Sequence, residues 1–124
     1  MGGALMRSFT AAALLACGIS SAHAASLDMT VQGLYQLCKS DNSNPLIKNT
    51  DTIHCYAYIS GIADLLVVQG AGGAKIMSIC AKPTPSYGAM VQAFVNWASA
   101  HPEEWGKPRV SGVLAALSKS WPCR

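Results

Sequence analysis

The sequence predicts a small all-α protein, a bundle of four helices (up-and-down or orthogonal) held together by two disulfides. Four segments repeat apolar residues with helical spacing, and no segment alternates with the period of two that is typical of strands. The segments are joined by brief connections, as in helical bundles. Four cysteines follow the N-terminal leader described below, and an even number in a small exported domain indicates a disulfide framework.

The first 24 residues have the order of a secretory signal peptide. Arg7 precedes an apolar core over residues 9–19, and the small-residue tripeptide AHA ends at Ala24. We expect cleavage after Ala24, which would leave a single domain over residues 25–124 in the periplasm. The alternatives are a buried N-terminal helix and lipid attachment at Cys17, which ends the sequence LLAC.

Composition excludes two classes of partner. No apolar run reaches the roughly 18–20 residues of a membrane span. Removal of residues 1–24 leaves eight basic residues (nine less Arg7) against six acidic ones, with no basic cluster, so a nucleic-acid partner is not expected.

The first two helices are predicted from apolar periodicity. The first runs from about Met29 to Lys39 with Asp28 or Thr30 as its cap, and the polar segment 40–50 is expected to be a loop. The second starts at Thr50 or Asp51, ends near Gln69 and is apolar nearly all round, so it should be the most buried helix. Its predicted inner face comprises Cys55, Tyr58, Ile59, Ile62, Leu65, Leu66 and Gln69.

The last two helices have clearer boundaries. Thr84 is the expected cap of the third, with Pro85 at its first position, and the helix should end at His101 because Pro102 follows. Its predicted apolar stripe comprises Tyr87, Met90, Val91, Phe94, Trp97 and Ala98. After a short turn, the fourth helix runs from about Pro108 to Ser120, and its predicted inward residues are Val110, Val113, Leu114 and Leu117.

Four cysteines allow three pairings, and the helical hairpins select one. Cys38 ends the first helix and Cys55 lies near the start of the second, so an antiparallel hairpin brings them together. Cys80 precedes the third helix and Cys123 follows the fourth, so these also meet. We predict Cys38–Cys55 and Cys80–Cys123.

Residues suited to catalysis or metal binding are few. The cysteine spacings lack a C-x-x-C pair, which disfavours a zinc site, and cysteines that are all paired leave no thiol nucleophile. His101 has an expected helix-end role, while Glu103 and Glu104 complement the dipole of a helix start. The sequence GAGGAK lacks the ending of a phosphate-binding loop. We therefore expect no catalytic residue, metal or cofactor.

Gly61 and Asp64 stand out within the second helix. Glycine in a helix costs about 1 kcal/mol relative to alanine, and close approach of a neighbouring helix is the usual compensation. Asp64 follows one turn later and is expected to accept a hydrogen bond from a helix N-terminus or a tyrosine. The pair is predicted to be a packing notch with a buried polar anchor, and direct contact with a partner is the alternative.

Several stretches, taken in order, resemble the Rap/Tai family of periplasmic immunity proteins. These are LYQLCKS, CYAYISGIADLL, NWASAHPEEW and ALSKSWPC, which together extend from Leu34 to Cys123. The shared pattern includes the four cysteines, Gly61 and Asp64, with Tyr58, His101 and Pro102 in structural roles. Ala57, Trp105 and the glycine-rich segment 70–82 depart from the family pattern.

The resemblance implies a non-enzymatic inhibitor of a type VI secretion amidase effector that cuts peptidoglycan. A homodimer is also implied. We expect the glycine-rich loop to contact the enzyme through Gly70, Gly72, Gly73, Lys75, Ile76, Met77 and Ser78. The alternative function is that of a periplasmic chaperone-like or stress-related protein that binds exposed apolar surfaces without a dedicated toxin.

Overall fold

Four α-helices and one short 3₁₀ helix make up the regular structure of the described residues. The computed structural model describes residues 28–71, 79–80 and 85–123, so the predicted signal peptide lies outside them. The elements are α1 (Val31–Cys38), α2 (Pro45–Ala71), α3 (Tyr87–Ala100), a 3₁₀ helix (Pro102–Glu104) and α4 (Arg109–Ser120). The prediction of an all-α, four-helix fold is confirmed.

Both residues proposed as the cap of α1 contribute to its start. The Thr30 side chain accepts a hydrogen bond from the Gly33 N–H at 3.2 Å, which makes Thr30 the N-cap. The Asp28 carboxylate accepts one from the Thr30 N–H at 2.9 Å. Hydrogen bonds from the Thr30 side chain and backbone lower the pKa of Asp28 below its ordinary value.

Helix α2 begins earlier and is less buried than predicted. The Asn44 side chain accepts a hydrogen bond from the Leu46 N–H at 3.0 Å, and Pro45 occupies the first helical position. The second half of the expected loop 40–50 is therefore helical. Among residues 45–69 of α2, for which burial is described, only Cys55, Ile59 and Ala63 are buried, so the prediction that α2 is the most buried helix is wrong.

Helices α1 and α3 hold the central positions instead, since each of them contacts all three other helices. In α3, Phe94 is completely buried, and Met90, Val91 and Ala98 join it in the core. The cap is Ser86, whose side chain accepts a hydrogen bond from the Ala89 N–H at 3.2 Å. The helix therefore starts two residues later than the predicted Thr84–Pro85 boundary, and Tyr87 of the predicted stripe is exposed.

Helix α4 packs Val113 and Leu117 into the core, as predicted, whereas Val110 is exposed. Gly112 of this helix is also buried. A Cβ atom at Gly112 would lie 2.7 Å from Val31 Cγ2 of α1 and 3.1 Å from Trp97 Cζ3 of α3. Gly112 is therefore the packing notch of this bundle.

The segment between α3 and α4 holds the start of α1 in place. The Val31 N–H donates to the Lys107 carbonyl at 2.8 Å, and the Arg109 N–H donates to the Met29 carbonyl at 2.8 Å. Trp105 packs its ring 5.6 Å from that of Tyr35, and its indole N–H donates to the Ala98 carbonyl at 2.8 Å. Met29, which directly precedes the α1 cap, is thus hydrogen-bonded to the start of α4.

Both predicted disulfides are present. Cys38–Cys55 joins the end of α1 to α2 with a Cα–Cα distance of 5.0 Å, about three turns inside α2 because that helix starts early. Cys80–Cys123 has a Cα–Cα distance of 4.7 Å, and the Cys80 N–H donates to the Trp121 carbonyl at 2.9 Å. Disulfide and backbone pairing together hold the C-terminal cysteine.

Candidate functional site

Most of the exposed apolar surface in the described residues belongs to α2. Seven of the ten large apolar side chains that are exposed there lie on this helix: Leu46, Ile47, Ile53, Tyr56, Leu65, Val67 and Val68. Val68 is 69% exposed, although it belongs to the apolar run 65–68. Large exposed apolar patches on a small protein are typical of interaction sites.

A groove separates the C-terminal half of α2 from the start of α3. Its volume is about 320 Å³, and its lining consists of Ala63, Asp64, Val67, Pro85, Ser86, Tyr87 and Met90. Among these residues only Asp64 has a carboxylate. The groove is therefore an apolar depression with a single acidic group on its wall.

A hydrogen bond between Asp64 and Tyr87 crosses the groove. The Tyr87 hydroxyl donates to Asp64 Oδ1 at 2.7 Å, and both residues are exposed. This hydrogen bond, together with the negative charge of the carboxylate, raises the pKa of Tyr87 above its ordinary value. The hydroxyl therefore remains a donor throughout the physiological pH range.

A second tyrosine continues this surface toward the middle of α2. Tyr56, Ser60, Ala63, Asp64 and Val67 follow one another at helical spacing on the side of α2 that borders α3. A Cβ atom at Gly88 would lie 3.6 Å from the Tyr56 hydroxyl, so that hydroxyl lies beside the first turn of α3. We call the groove together with Tyr56 the α2–α3 surface.

Two tyrosines are exposed on the α2–α3 surface. Tyr56 is 42% exposed and Tyr87 is 48% exposed. Tyrosine is enriched in protein interfaces because it offers a large rigid contact area with a polar end. The apolar periodicity of α3 predicts Tyr87 in the buried stripe. Tyr87 is instead the first residue of this helix and lines the groove.

Gly61 is not the predicted packing notch, and Asp64 has the predicted tyrosine donor but not the predicted burial. Gly61 is exposed, and a Cβ atom there would meet nothing within 4 Å. Asp64 accepts a hydrogen bond from a tyrosine, one of the two predicted donors, but it lies on the surface rather than in the interior.

The other predicted structural residues lie away from the groove. Tyr58 is half-buried, and the Arg109 guanidinium lies 4.0 Å from its ring centre. His101 follows the last residue of α3, where its Nδ1–H donates to the Trp97 carbonyl at 2.7 Å and its ring stacks on the Trp97 ring. Pro102 begins the 3₁₀ helix.

Most of the predicted contact loop lies outside the described residues. This applies to Gly72, Gly73, Lys75, Ile76, Met77 and Ser78, whereas Gly70 belongs to α2. The described residues that flank this loop are Ala71 and Ile79. Ala71 follows the groove residue Val67 by one helical turn, whereas Ile79 pairs with Pro122 next to the Cys80–Cys123 disulfide.

Neither a metal centre nor a membrane span is found in the described part of the chain. Within residues 28–71, 79–80 and 85–123, no three His, Cys, Asp or Glu side chains lie close enough together to hold a metal ion. Over the same ranges, no helix combines the length and apolar character needed to cross a bilayer. Glu104, which was expected to complement the dipole of a helix start, forms an ion pair with Lys107, with 2.7 Å between Lys107 Nζ and Glu104 Oε2.

Comparison with known families identifies the family of this chain. The family model of the Rap1a immunity proteins matches residues 30–123, which include all four helices and both disulfides. The chain belongs to the Rap1a immunity protein family. No curated protein and no solved structure matches it.

Membership in the Rap1a family gives the α2–α3 surface a functional context. Immunity proteins act by binding an effector protein, and the family is generally non-enzymatic. The relevant property of such a protein is a surface complementary to its effector. The α2–α3 surface lies entirely within the matched residues and combines exposed apolar area, two tyrosines and one carboxylate.

Proposed function

We propose that this protein is a periplasmic immunity protein that binds and inhibits a peptidoglycan amidase delivered by type VI secretion. The observation that carries the proposal is the Rap1a family match over residues 30–123. Amidase inhibition is the activity implied by the resemblance to the Rap/Tai proteins. The producing cell would be protected because the effector is bound before it cuts the cell wall.

Export to the periplasm is part of the same proposal. The sequence of residues 1–24 has the features of a signal peptide cleaved after Ala24. The two disulfides support an oxidising compartment, where such bonds persist. An inhibitor of a wall-cutting enzyme must also be located where the wall is accessible.

We propose that the effector is bound by the α2–α3 surface together with the glycine-rich loop that follows α2. The exposed Tyr56 and Tyr87 would supply contact area, and the neighbouring Val67 an apolar contact. The loop residues Lys75, Ile76 and Met77 would then extend the same interface. Binding there requires no catalytic group on this chain.

The test is protection of cells from a candidate type VI amidase, which is sought among the genes that neighbour this chain's gene. The amidase is directed to the periplasm, and lysis is measured with and without the exported full-length chain. We expect the chain to prevent lysis, and an amidase with its catalytic cysteine replaced should cause none in either case. Lysis that continues while the oxidised chain accumulates in the periplasm would refute the proposal.

A chaperone-like function is the second candidate, and the exposed apolar residues of α2 favour it. Such a protein would suppress aggregation of many unfolded clients. An immunity protein would instead bind one folded enzyme at a fixed stoichiometry. Suppression of aggregation of unrelated reduced proteins, without binding to the amidase, would support the chaperone function.

A homodimer is a further proposal that follows from the resemblance. Its partner surface would be drawn from the exposed apolar residues of α2 that the effector leaves uncovered, such as Leu46 and Ile47. Analytical ultracentrifugation of the oxidised protein over a range of concentrations would measure it. A single species with the mass of one chain at all concentrations would contradict it.

A further inference from the structure

We propose that the groove of the α2–α3 surface receives one basic side chain, a lysine or arginine, from the effector, with Asp64 as its carboxylate partner. This inference rests on the proposed function and specifies the chemistry of the contact. It follows from the lining of the groove, the unused bonding capacity of Asp64 and the way Tyr87 holds that carboxylate.

The lining of the groove suits a side chain that is apolar along its length and cationic at its end. Ala63, Val67, Pro85 and Met90 present apolar surface, and Asp64 alone supplies a charge. Lysine and arginine have this divided character, since their methylene stems bury against apolar surface while the head remains paired. The volume of about 320 Å³ is at the lower end of the roughly 300–1,000 Å³ typical of small-molecule sites.

The Asp64 carboxylate retains unused capacity for hydrogen bonds. An ionised carboxylate accepts at about four positions, and Tyr87 occupies one of them on Oδ1. Across the described ranges, the one ion pair is Lys107–Glu104, so Asp64 has no cationic partner there. Asp51, another carboxylate of α2, accepts a 2.6 Å hydrogen bond from the Ser40 hydroxyl, which follows α1.

Tyr87 prepares the carboxylate for a charged ligand. Its hydroxyl fixes one oxygen of Asp64 at 2.7 Å, which leaves the other oxygen available to the groove. A carboxylate that is already oriented loses less conformational entropy when a partner binds. The raised pKa of Tyr87 keeps this donor protonated during binding.

Other occupants fit the groove less well. An anion would meet the Asp64 carboxylate directly, and a purely apolar plug would remove water from that carboxylate without replacing its hydrogen bonds, which is costly. The mature chain has eight basic and six acidic residues, so its net charge is small. The local charge of the groove, and not long-range attraction, therefore favours a basic residue there.

Calorimetry tests the proposal by measuring the affinity of the oxidised mature protein for the candidate amidase. We expect Asp64→Asn to weaken binding about 30-fold or more, as for loss of one partner of a desolvated charge pair. Tyr87→Phe should weaken binding about three- to tenfold, because the carboxylate remains but is no longer held. The matched control is Glu104→Gln, an acid outside the α2–α3 surface, which should bind within twofold of the wild type.

The outcomes separate this inference from the proposed function. Failure of the wild-type chain to bind the amidase would refute the proposed function itself. Tight wild-type binding with Asp64→Asn unchanged within twofold would overturn only the groove contact. Circular dichroism of each variant verifies folding, since Asp64 is exposed and its replacement should not affect the core.

A lysine of this chain's own loop is the remaining competitor for Asp64. Lys75 and Lys82 both lie in the sequence between α2 and α3. The double variant Lys75→Ala/Lys82→Ala is therefore measured alone and together with Asp64→Asn. Additive losses of affinity would support an effector residue as the partner of Asp64. If Asp64→Asn had no further effect in the double variant, the proposal would be overturned.

Discussion

Replacement of Gly112 by alanine should lower the free energy of unfolding, although alanine is the better helix former. In an unhindered helix this change stabilises by about 1 kcal/mol. At Gly112 the new Cβ would lie 2.7 Å from Val31 Cγ2 and 3.1 Å from Trp97 Cζ3. Val31 is completely buried and its β-branched side chain has little rotational freedom, so a helix must move.

The size of the effect follows from two opposing terms. Overpacking of a core costs about 1–3 kcal/mol, and the helical preference of alanine offsets about 1 kcal/mol of that. We expect a net loss of up to about 2 kcal/mol. For a domain of this size each kcal/mol corresponds to about 4–8 °C in Tm.

Gly61→Ala is the matched control, because Gly61 lies within α2 with nothing within 4 Å of the added Cβ. It should raise the free energy of unfolding by about 0.5–1 kcal/mol. Urea unfolding of both oxidised variants, followed by circular dichroism, measures the difference. A Gly112→Ala protein as stable as Gly61→Ala would refute the proposed close contact of α4 with α1 and α3.

Three further predictions concern the disulfides, the tyrosines and the helix caps. The disulfides close separations of 17 and 43 residues, so replacing Cys38 and Cys55 by alanine should cost about 3 kcal/mol, and replacing Cys80 and Cys123 about 4 kcal/mol; equal stability of either variant and the wild type in urea would contradict this. Tyr87 should ionise at higher pH than Tyr35, since the hydrogen bond to Asp64 raises the pKa of Tyr87 whereas the hydrogen bond with Ser99 lowers that of Tyr35. The stabilising effect of the Tyr87–Asp64 bond is present below the unfolded pKa of about 10 and is lost as pH rises through the higher folded value; an unchanged tyrosinate absorbance titration in Asp64→Asn would show that the bond is absent. Thr30→Ala and Ser86→Ala should each lower the free energy of unfolding by about 1 kcal/mol through loss of a cap, with the exposed Ser120→Ala as an unaffected control; caps without effect would place the starts of α1 and α3 elsewhere.

Local chemistry predicted the pairing of cysteines and the number of helices but not where two of the helices begin. Asn44–Pro45 and Thr84–Pro85 have the same form, a capping residue followed by proline. The first pair starts α2, whereas α3 begins after the second pair, with Ser86 as its cap. Each candidate cap can satisfy a free backbone N–H, so tertiary packing decides between them.

The orientation of α2 explains why the candidate site was only partly predicted. A helix that is apolar all round is expected to be buried, yet α2 directs only Cys55, Ile59 and Ala63 fully into the core. Three further apolar residues of α2 are partly buried against the core. The exposed ones, including Val68, would contact the effector in the proposed function, and the sequence of one chain does not encode that partner. Glycine placement depends on packing in the same way, which is why the notch lies at Gly112 and not at Gly61.

Inhibition of the candidate amidase by the oxidised mature protein tests the proposed immunity function most directly. Release of peptides from purified peptidoglycan is followed while this protein is added in increasing amounts. Inhibition should become complete at a fixed molar ratio to the enzyme, and Asp64→Asn should require a higher concentration. Undiminished peptide release in the presence of excess folded, disulfide-bonded protein would show that this chain is not the inhibitor of that enzyme.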